Sequence, residues 1–378
     1  MAGALSGVVI ADFSRVLAGP YATMLLGDLD AEVIKVERPV SGDDTRAWGP
    51  PYGPDGQATY FTGVNRNKKS VFLDLASSAD TARAHDLAAR ADVLVENFSP
   101  GTMDRLGLGY SAVTAGNPDV IYCSITGFGS AEGAKLPGYD LLVQAMGGLM
   151  SITGHSPAEP TKVGVALVDV IAGLHACYGI LAALHHRDAT GEGQHIEINL
   201  LSSLLSALVN QSSAYVGAGV VPRGMGNEHP SISPYAVYAA ADGPLVLAVG
   251  NDRQFAALVL TLGAPLLAGD ARFATNPARV AHRIELRTEL ESLLRKHRVA
   301  EWVERLMAVG VPCGPINDIA AAFSLAGELG LAPIVEIPVV GDPNRTEHRS
   351  RQVANPVRFS ATPPTYRLPP PVLPHHDR

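Results

Sequence analysis

Cysteine is scarce in this chain of 378 residues: its three thiols, Cys123, Cys177 and Cys313, lie far apart in apolar surroundings. That spacing excludes a paired metal-ligand motif and predicts buried, reduced thiols with no structural disulfide. Charge is thin as well, at 17% of residues, and acidic in balance, with a formal net charge of −8 and a pI near 5.8. A basic field for a nucleic-acid backbone is missing, and so is a polybasic lipid anchor. Small molecules and further copies of the chain are the partners this composition leaves. MAGALSGVVIADF lacks a charged n-region with a long apolar run, so no export signal is read there and the cytoplasm is the expected compartment. Polar low-complexity sequence is absent until the proline-rich end. With 47% hydrophobic residues, the chain is expected to bury a substantial core in two domains.

One long apolar run is present, over residues 163–184. It approaches bilayer thickness, yet Gly164, Asp169, Gly173, His175 and Gly179 interrupt it. An Asp at mid-span costs about 2.5–3.5 kcal/mol on insertion scales, so the run is assigned to a protein interior and no membrane partner is expected.

Short β-branched runs at 7–13, 32–37, 70–75, 92–98 and 120–126 predict strands, with helices at 21–29 and 79–91 between them. Such alternation predicts an α/β fold with a parallel, Rossmann-like sheet. After Asp169 the apolar residues Val170, Ile171, Leu174, Cys177, Tyr178, Leu181 and Leu184 fall on one helical stripe, predicting a helix over 170–187. A strand at 195–200 and further helix follow. The expected division is a large domain over 1–210, a linker over 211–224, a smaller α+β domain over 225–320, and a return segment over 321–378. PPTYRLPPPVLPHHDR, the proline-rich end of that last segment, excludes helix and predicts an extended path over another surface.

VGVALVDVIAG, residues 163–173, holds a single ionisable side chain, Asp169, at the start of the helical stripe. An N-cap accepting an orphan backbone N–H is one reading. A poorly hydrated carboxylate, kept ionised by the helix dipole and able to attack a carbonyl, is the other. The two are compatible, and the sequence leaves both open. GFGSAEG (127–133) follows a strand, but Glu132 stands where a dinucleotide fingerprint needs its third glycine, so a mobile loop over a pocket is expected instead. Arg38, Arg66, Lys68, Lys69, Arg105 and Lys135 are expected at the C-terminal edge of the sheet, where open parallel sheets bind ligands. Together they predict an anionic, phosphate-bearing ligand. His195, Glu197 and Asn199 share one strand face and are read as a polar surface, with no metal assigned. NEHPSISPY (227–235) fits a rigid substrate-facing loop or an interdomain elbow equally.

Eight segments resemble, in the same order, the class III CoA-transferases, a family that includes formyl-CoA and carnitine CoA-transferases and has the α-methylacyl-CoA racemases as relatives. They are DFSRVLAGPYATMLLGDLDAEVIKVERP, GDDTR, the NRNKKS loop, VENFSPGTMDRLGLGY, PGYDLLVQAMGGLMSITG, VGVALVDVIAG, GEGQHIEINLLSSLLSAL and GVPCGPIND. The resemblance implies a Rossmann-like large domain built from both chain ends, a smaller domain, and two ring-shaped chains interlocked as a homodimer. It implies Asp169 as the nucleophile, forming a mixed anhydride and then an aspartyl-CoA thioester. Arg15, Val16, Ala18, Arg38, Leu73, Asn97, Phe98, Arg105 and Lys135 would line the CoA site, with acyl-CoA and a carboxylic acid as substrates and no metal or further cofactor.

Two departures refine this. Racemase relatives carry GHD where this chain has Gly138, Tyr139 and Asp140, and a Tyr of unperturbed pKa about 10 is a poor base for an α-proton. Transferase is therefore expected over racemase, with a non-catalytic CoA-binding homologue as the other alternative. Leu17 replaces the glutamine of formyl-CoA transferases, which argues against oxalate as acceptor. RGMGNEHPSISPY resembles the subgroup acting on dicarboxylic acids, which implies that Arg223 or His229 holds a distal carboxylate.

Overall fold

The computed structural model of the protein describes residues 2–339 and 349–374. Parts of the expected return segment, 340–348 and 375–378, lie outside the described residues. Six strands form one parallel sheet: β1 (Val9–Asp12), β2 (Glu32–Glu37), β3 (Lys68–Phe72), β4 (Val93–Glu96), β5 (Ile121–Thr126) and β6 (Gln194–Asn199). Their order is β3-β2-β1-β4-β5-β6. The chain winds outward from β1 in one direction and from β4 in the other, so the loops leaving these two strands diverge and open a crevice at their C-terminal ends. The inner strands are apolar because both faces are covered: Ile10, Ala11, Val93, Leu94, Val95, Ile121 and Cys123 are all fully buried.

The predicted helix after residue 169 is longer than its stripe suggested, running over Leu167–Thr190. It is the one helix among the described residues long and apolar enough to cross a membrane by length and composition. Val168, Ala172, Ala176, Ile180 and Ala183 are buried within the protein, and the helix packs on the Ala18–Asp28 helix and against β5 and β6. Gly173 makes that packing possible, since a Cβ there would stand 2.7 Å from the carbonyl oxygen of Ala18. Gly173 therefore serves helix packing and does not open space beside Asp169.

The chain forms two compact units. The first comprises residues 1–150, 162–221 and 332–378 and carries the parallel sheet. Its last segment lies on its own beginning: the Asn67 N–H donates to Leu368 O (2.9 Å), Thr365 N–H donates to Asp28 O (2.8 Å), and Asn355 Nδ2 donates to Asp28 Oδ2 (3.0 Å). The second unit comprises residues 151–161 and 222–331. It holds an antiparallel sheet of β7 (Tyr235–Ala239), β8 (Pro244–Ala248) and β9 (Cys313–Pro315). Leu245, Leu247, Phe255, Leu258, Leu290 and Trp302 fill its core, with the Trp302 indole N–H donating to Leu294 O at 2.7 Å.

Candidate active site

The turn that leaves β1 is built on buried charge. Asp12, fully buried at the strand end, accepts from the Ser14 N–H (3.0 Å), the Thr23 hydroxyl (2.6 Å) and the Lys68 ammonium (3.0 Å). Lys35, also fully buried, donates to Ser14 O at 2.9 Å and pairs with Asp43 at 2.9 Å. Asp43 in turn accepts from the Val16 N–H at 3.3 Å. Burial opposes ionisation of Asp12, but the Lys68 and Lys35 ammoniums, helped by Ser14 and Thr23, overcome it and hold the carboxyl well below the usual carboxylate range. The network has a conformational result. Val16 sits at φ +69°, a left-handed conformation that is strained for a β-branched residue and persists only when its surroundings over-determine it.

The turn that leaves β4 is locked to the first. Asn97 Oδ1 accepts from the Arg15 N–H (2.8 Å) while its Nδ2 donates to Arg15 O (2.7 Å). Glu96, buried at the end of β4 and pushed up in pKa by that burial, accepts from the Phe98 N–H at 2.9 Å. The Arg15 guanidinium then lies 4.6 Å over the Phe98 ring. Arg15 and Arg38 both pair with Asp44, at 3.6 Å in the first case and at close contact in the second.

Opposite these turns stands Asp169. It is the third residue of its helix, so it does not cap it; the position before the helix is Ala166, which has no capping side chain. The cap comes from elsewhere: Asp140 Oδ1 accepts from the Val168 N–H (2.8 Å) and the Asp169 N–H (3.2 Å). Gln144 completes a clasp, donating to Asp140 Oδ2 (2.6 Å) and accepting from the Val163 N–H (2.9 Å). With the helix donors already engaged, burial and then the Asp140 charge push Asp169 up to about 7. Tyr60 belongs to the same environment, its phenol raised by burial and by the charges of Asp169 and Asp140. The remaining wall is a backbone crossing: a Cβ on Gly127 would stand 2.4 Å from the Gly138 Cα.

These walls enclose a cavity of about 250 Å³, lined by Arg15, Val16, Leu17, Ala18, Asn97, Phe98, Tyr139 and Asp169 among others. A second cavity of about 280 Å³ is lined by Arg38, Leu73, Leu75 and Leu106, and shares Arg15 and Phe98 with the first. Arg105 and Lys135 are exposed and line neither; Arg105 bonds the Thr102 hydroxyl at 2.8 Å. The expected basic edge is corrected at three positions. Arg66 is buried against Asp28 (2.6 Å), Lys68 against Asp12, and Lys69 pairs with Glu32 (2.8 Å). NRNKKS runs into the start of β3, so these residues enter the parallel sheet at the opposite end from the crevice; only the Lys68 ammonium reaches under it, where it is held by Asp12, and none of the three lines either cavity.

Arg223 and His229 belong to the second unit, in the loop before β7. Arg223 is exposed, while His229 Nδ1 accepts from the Ser231 N–H at 3.1 Å. His195 stacks on Tyr110 at 4.8 Å and bonds Ser124, Glu197 takes the Ser130 hydroxyl, and Asn199 caps the Leu200–Ala207 helix. The sequence reading missed Asp140, Gln144 and Tyr60 as neighbours of Asp169. The acidic residue after Tyr139 was the available signal, since an Asp at a helix start is a capping residue in search of a donor.

The family model of CoA-transferase family III matches residues 5–377. A succinate–glutarate CoA-transferase of Agrobacterium fabrum is 45% identical over 85% of this chain and 82% of its own length. An acetyl-CoA:oxalate CoA-transferase of Acetobacter aceti is 42% identical over 85% of this chain and 83% of its own. Among solved structures, a CAIB/BAIF family protein from Brucella suis superposes with a TM-score of 0.85 at 40% identity, covering 99% of this chain and 97% of that one. With the family model matching residues 5–377 and these relatives at 40% identity or more over at least 85% of it, the chain is a class III CoA-transferase: it belongs to CoA-transferase family III.

Proposed function

We propose that this enzyme transfers CoA from an acyl-CoA to a dicarboxylic acid through a covalent thioester on Asp169. A carboxylate oxygen of Asp169 attacks the thioester carbonyl and the CoA thiolate leaves, giving a mixed anhydride. The thiolate attacks the Asp169 carbonyl, so the donor acid departs and an aspartyl-CoA thioester forms. An acceptor carboxylate attacks that thioester, freeing the thiolate again, and the thiolate takes the new acyl group and restores Asp169. Protons and electrons balance without a co-reactant, so the scheme calls on no metal or cofactor beyond the CoA thioester. The observation that carries it is the place of Asp169, a largely buried carboxylate in the cavity wall beside Asp140: burial raises it to about 7, and a poorly hydrated carboxylate is more basic and more nucleophilic than one in water.

Arg15, Val16, Ala18 and Asn97 are assigned to the CoA arm beside Asp169, and Arg38, Leu73 and Phe98 to its nucleotide end, supported by the two cavities they line. Arg105 and Lys135, though outside both cavities, are assigned to CoA phosphates on the family resemblance alone. Leu17 and Tyr139 flank the acyl group, and Arg223 and His229 are assigned to the distal acceptor carboxylate. The names of the relatives support a dicarboxylate, with glutarate and oxalate among the acids they name.

A dimer of interlocked rings, with domains at 1–210 plus 321–378 and at 225–320 and a linker at 211–224, belongs to the same proposal. Supporting it are the exposed apolar residues Tyr178, Tyr215, Val216 and Val221, which a second copy would cover. The acidic charge and the buried face of the Leu167–Thr190 helix support a cytoplasmic enzyme with neither membrane nor nucleic acid as partner.

Incubation with succinyl-CoA followed by intact-mass measurement tests the scheme. A CoA adduct that Asp169→Ala cannot form is expected. No adduct with succinyl-, glutaryl- or acetyl-CoA would overturn it.

A further inference from the structure

We propose that Asp44 is an internal counter-ion occupying the place of the substrate diphosphate, and that an arriving CoA thioester displaces it from Arg15 and Arg38. The inference rests on the CoA-binding reading above. Arg15 and Phe98, stacked on each other, line both cavities, so a ligand filling the two must pass alongside this pair. At that junction one carboxylate meets two guanidiniums: Asp44 Oδ2 is 3.6 Å from Arg15 Nη1, and Asp44 Oδ1 accepts from Arg38 Nη2. All three side chains reach solvent, with 39% exposure for Asp44, 33% for Arg15 and 47% for Arg38.

The neighbouring acids are committed elsewhere. Asp43 is buried against Lys35 and caps the short turn that starts at Asp44, and Glu37 holds Arg46 at 2.7 Å. The backbone under Asp44 is therefore anchored, and displacement needs only its side chain to rotate. Two neighbouring guanidiniums repel each other, and a carboxylate between them removes that cost when the site is empty. A diphosphate offers the same donors more acceptor oxygens and more charge, after which Asp44 becomes a like charge beside the ligand. Asp44 thus keeps the arginines ordered between turnovers and weakens the hold on CoA, which favours release of the product thioester.

The test uses the Asp169→Ala protein, in which no adduct forms, with CoA and pantetheine affinities measured by calorimetry with and without Asp44→Asn. CoA is expected to bind about three- to tenfold tighter when Asp44 is neutralised, with the gain shrinking at high salt. Pantetheine, which lacks the phosphates, should bind equally to both proteins. Adding Arg38→Gln should abolish the gain, as coupling through a shared partner requires. CoA binding that is unchanged or weaker in Asp44→Asn, or an equal gain for pantetheine, overturns the proposal while leaving the CoA site standing. Failure of Asp169→Ala itself to bind CoA overturns the CoA-site reading and this inference together.

Discussion

In the second unit Trp302, Phe255, Leu247 and Leu290 fill the interior with apolar carbon, whereas beneath the cavity of the first unit Asp12, Lys35, Asp43 and Lys68 are buried and paired with one another. Apolar burial stabilises at about 25 cal/mol per Å² and tolerates rearrangement. A buried ion pair gains little over an apolar pair of the same shape, but it demands a fixed geometry. The charged interior accordingly lies where backbone atoms must be placed: Lys35 grips Ser14 O, Asp12 grips the Ser14 N–H, and Asp43 holds Val16. The second unit uses a similar device on a loop of its own. Buried Arg279 donates to Ser233 O at 2.6 Å, to Phe273 O at 2.9 Å and to Asp252, pinning the end of the NEHPSISPY stretch.

Breaking each interior separately should separate holding from placing. Lys35→Met leaves Asp43 buried without its cation and is expected to cost about 3–5 kcal/mol and to abolish CoA binding in the protein that remains folded. Leu247→Ala should cost a comparable, about 2–5 kcal/mol, yet leave CoA affinity within about twofold; thermal melts and calorimetry read both. Asn97→Ala removes the two bonds that hold Arg15 and should raise the KM for acyl-CoA about tenfold with a Tm shift of about 1 °C.

Smaller effects follow from protons. Since Asp169 reacts as the carboxylate and is raised to about 7, kcat/KM should climb as pH rises through about 7. Asp140→Asn removes the like charge while its remaining oxygen still accepts from the helix, so the climb should move to lower pH in a pH–rate profile. A carboxyl raised on folding destabilises the native state progressively between its unfolded value, near 3.8, and about 7. Asp169→Asn should therefore stabilise the protein by about 1–2 kcal/mol at about pH 8, discounted for partial exposure, and by less at about pH 5. A melting curve showing an equal gain at both would remove burial of charge as the cause.

The sheet was legible because its inner strands are buried on both faces and read as unbroken β-branched runs; β2 and β5 match their predicted bounds closely. Asp169 was legible as the one charge in an apolar stretch. Asp140 was not, because its donors lie 28 and 29 residues onward and no local pattern joins them. Arg66, Lys68 and Lys69 were misplaced for a related reason. A cation beside a strand reads the same at either end, and only the direction of the chain through the sheet decides which edge it occupies. Arg38, leaving the C-terminal end of β2, was placed correctly by that rule.

The crossing of Gly127 over Gly138 also bears on how this enzyme can change. A methyl group at either position would collide with the other backbone, so the loops carrying Thr126 and Tyr139 into the cavity cannot be reshaped one at a time. Redesign of acceptor preference is thereby channelled to side chains that project from this seam, above all Leu136 and Tyr139. Both line the cavity and are exposed, and each can be exchanged without parting the two strands of chain beneath it.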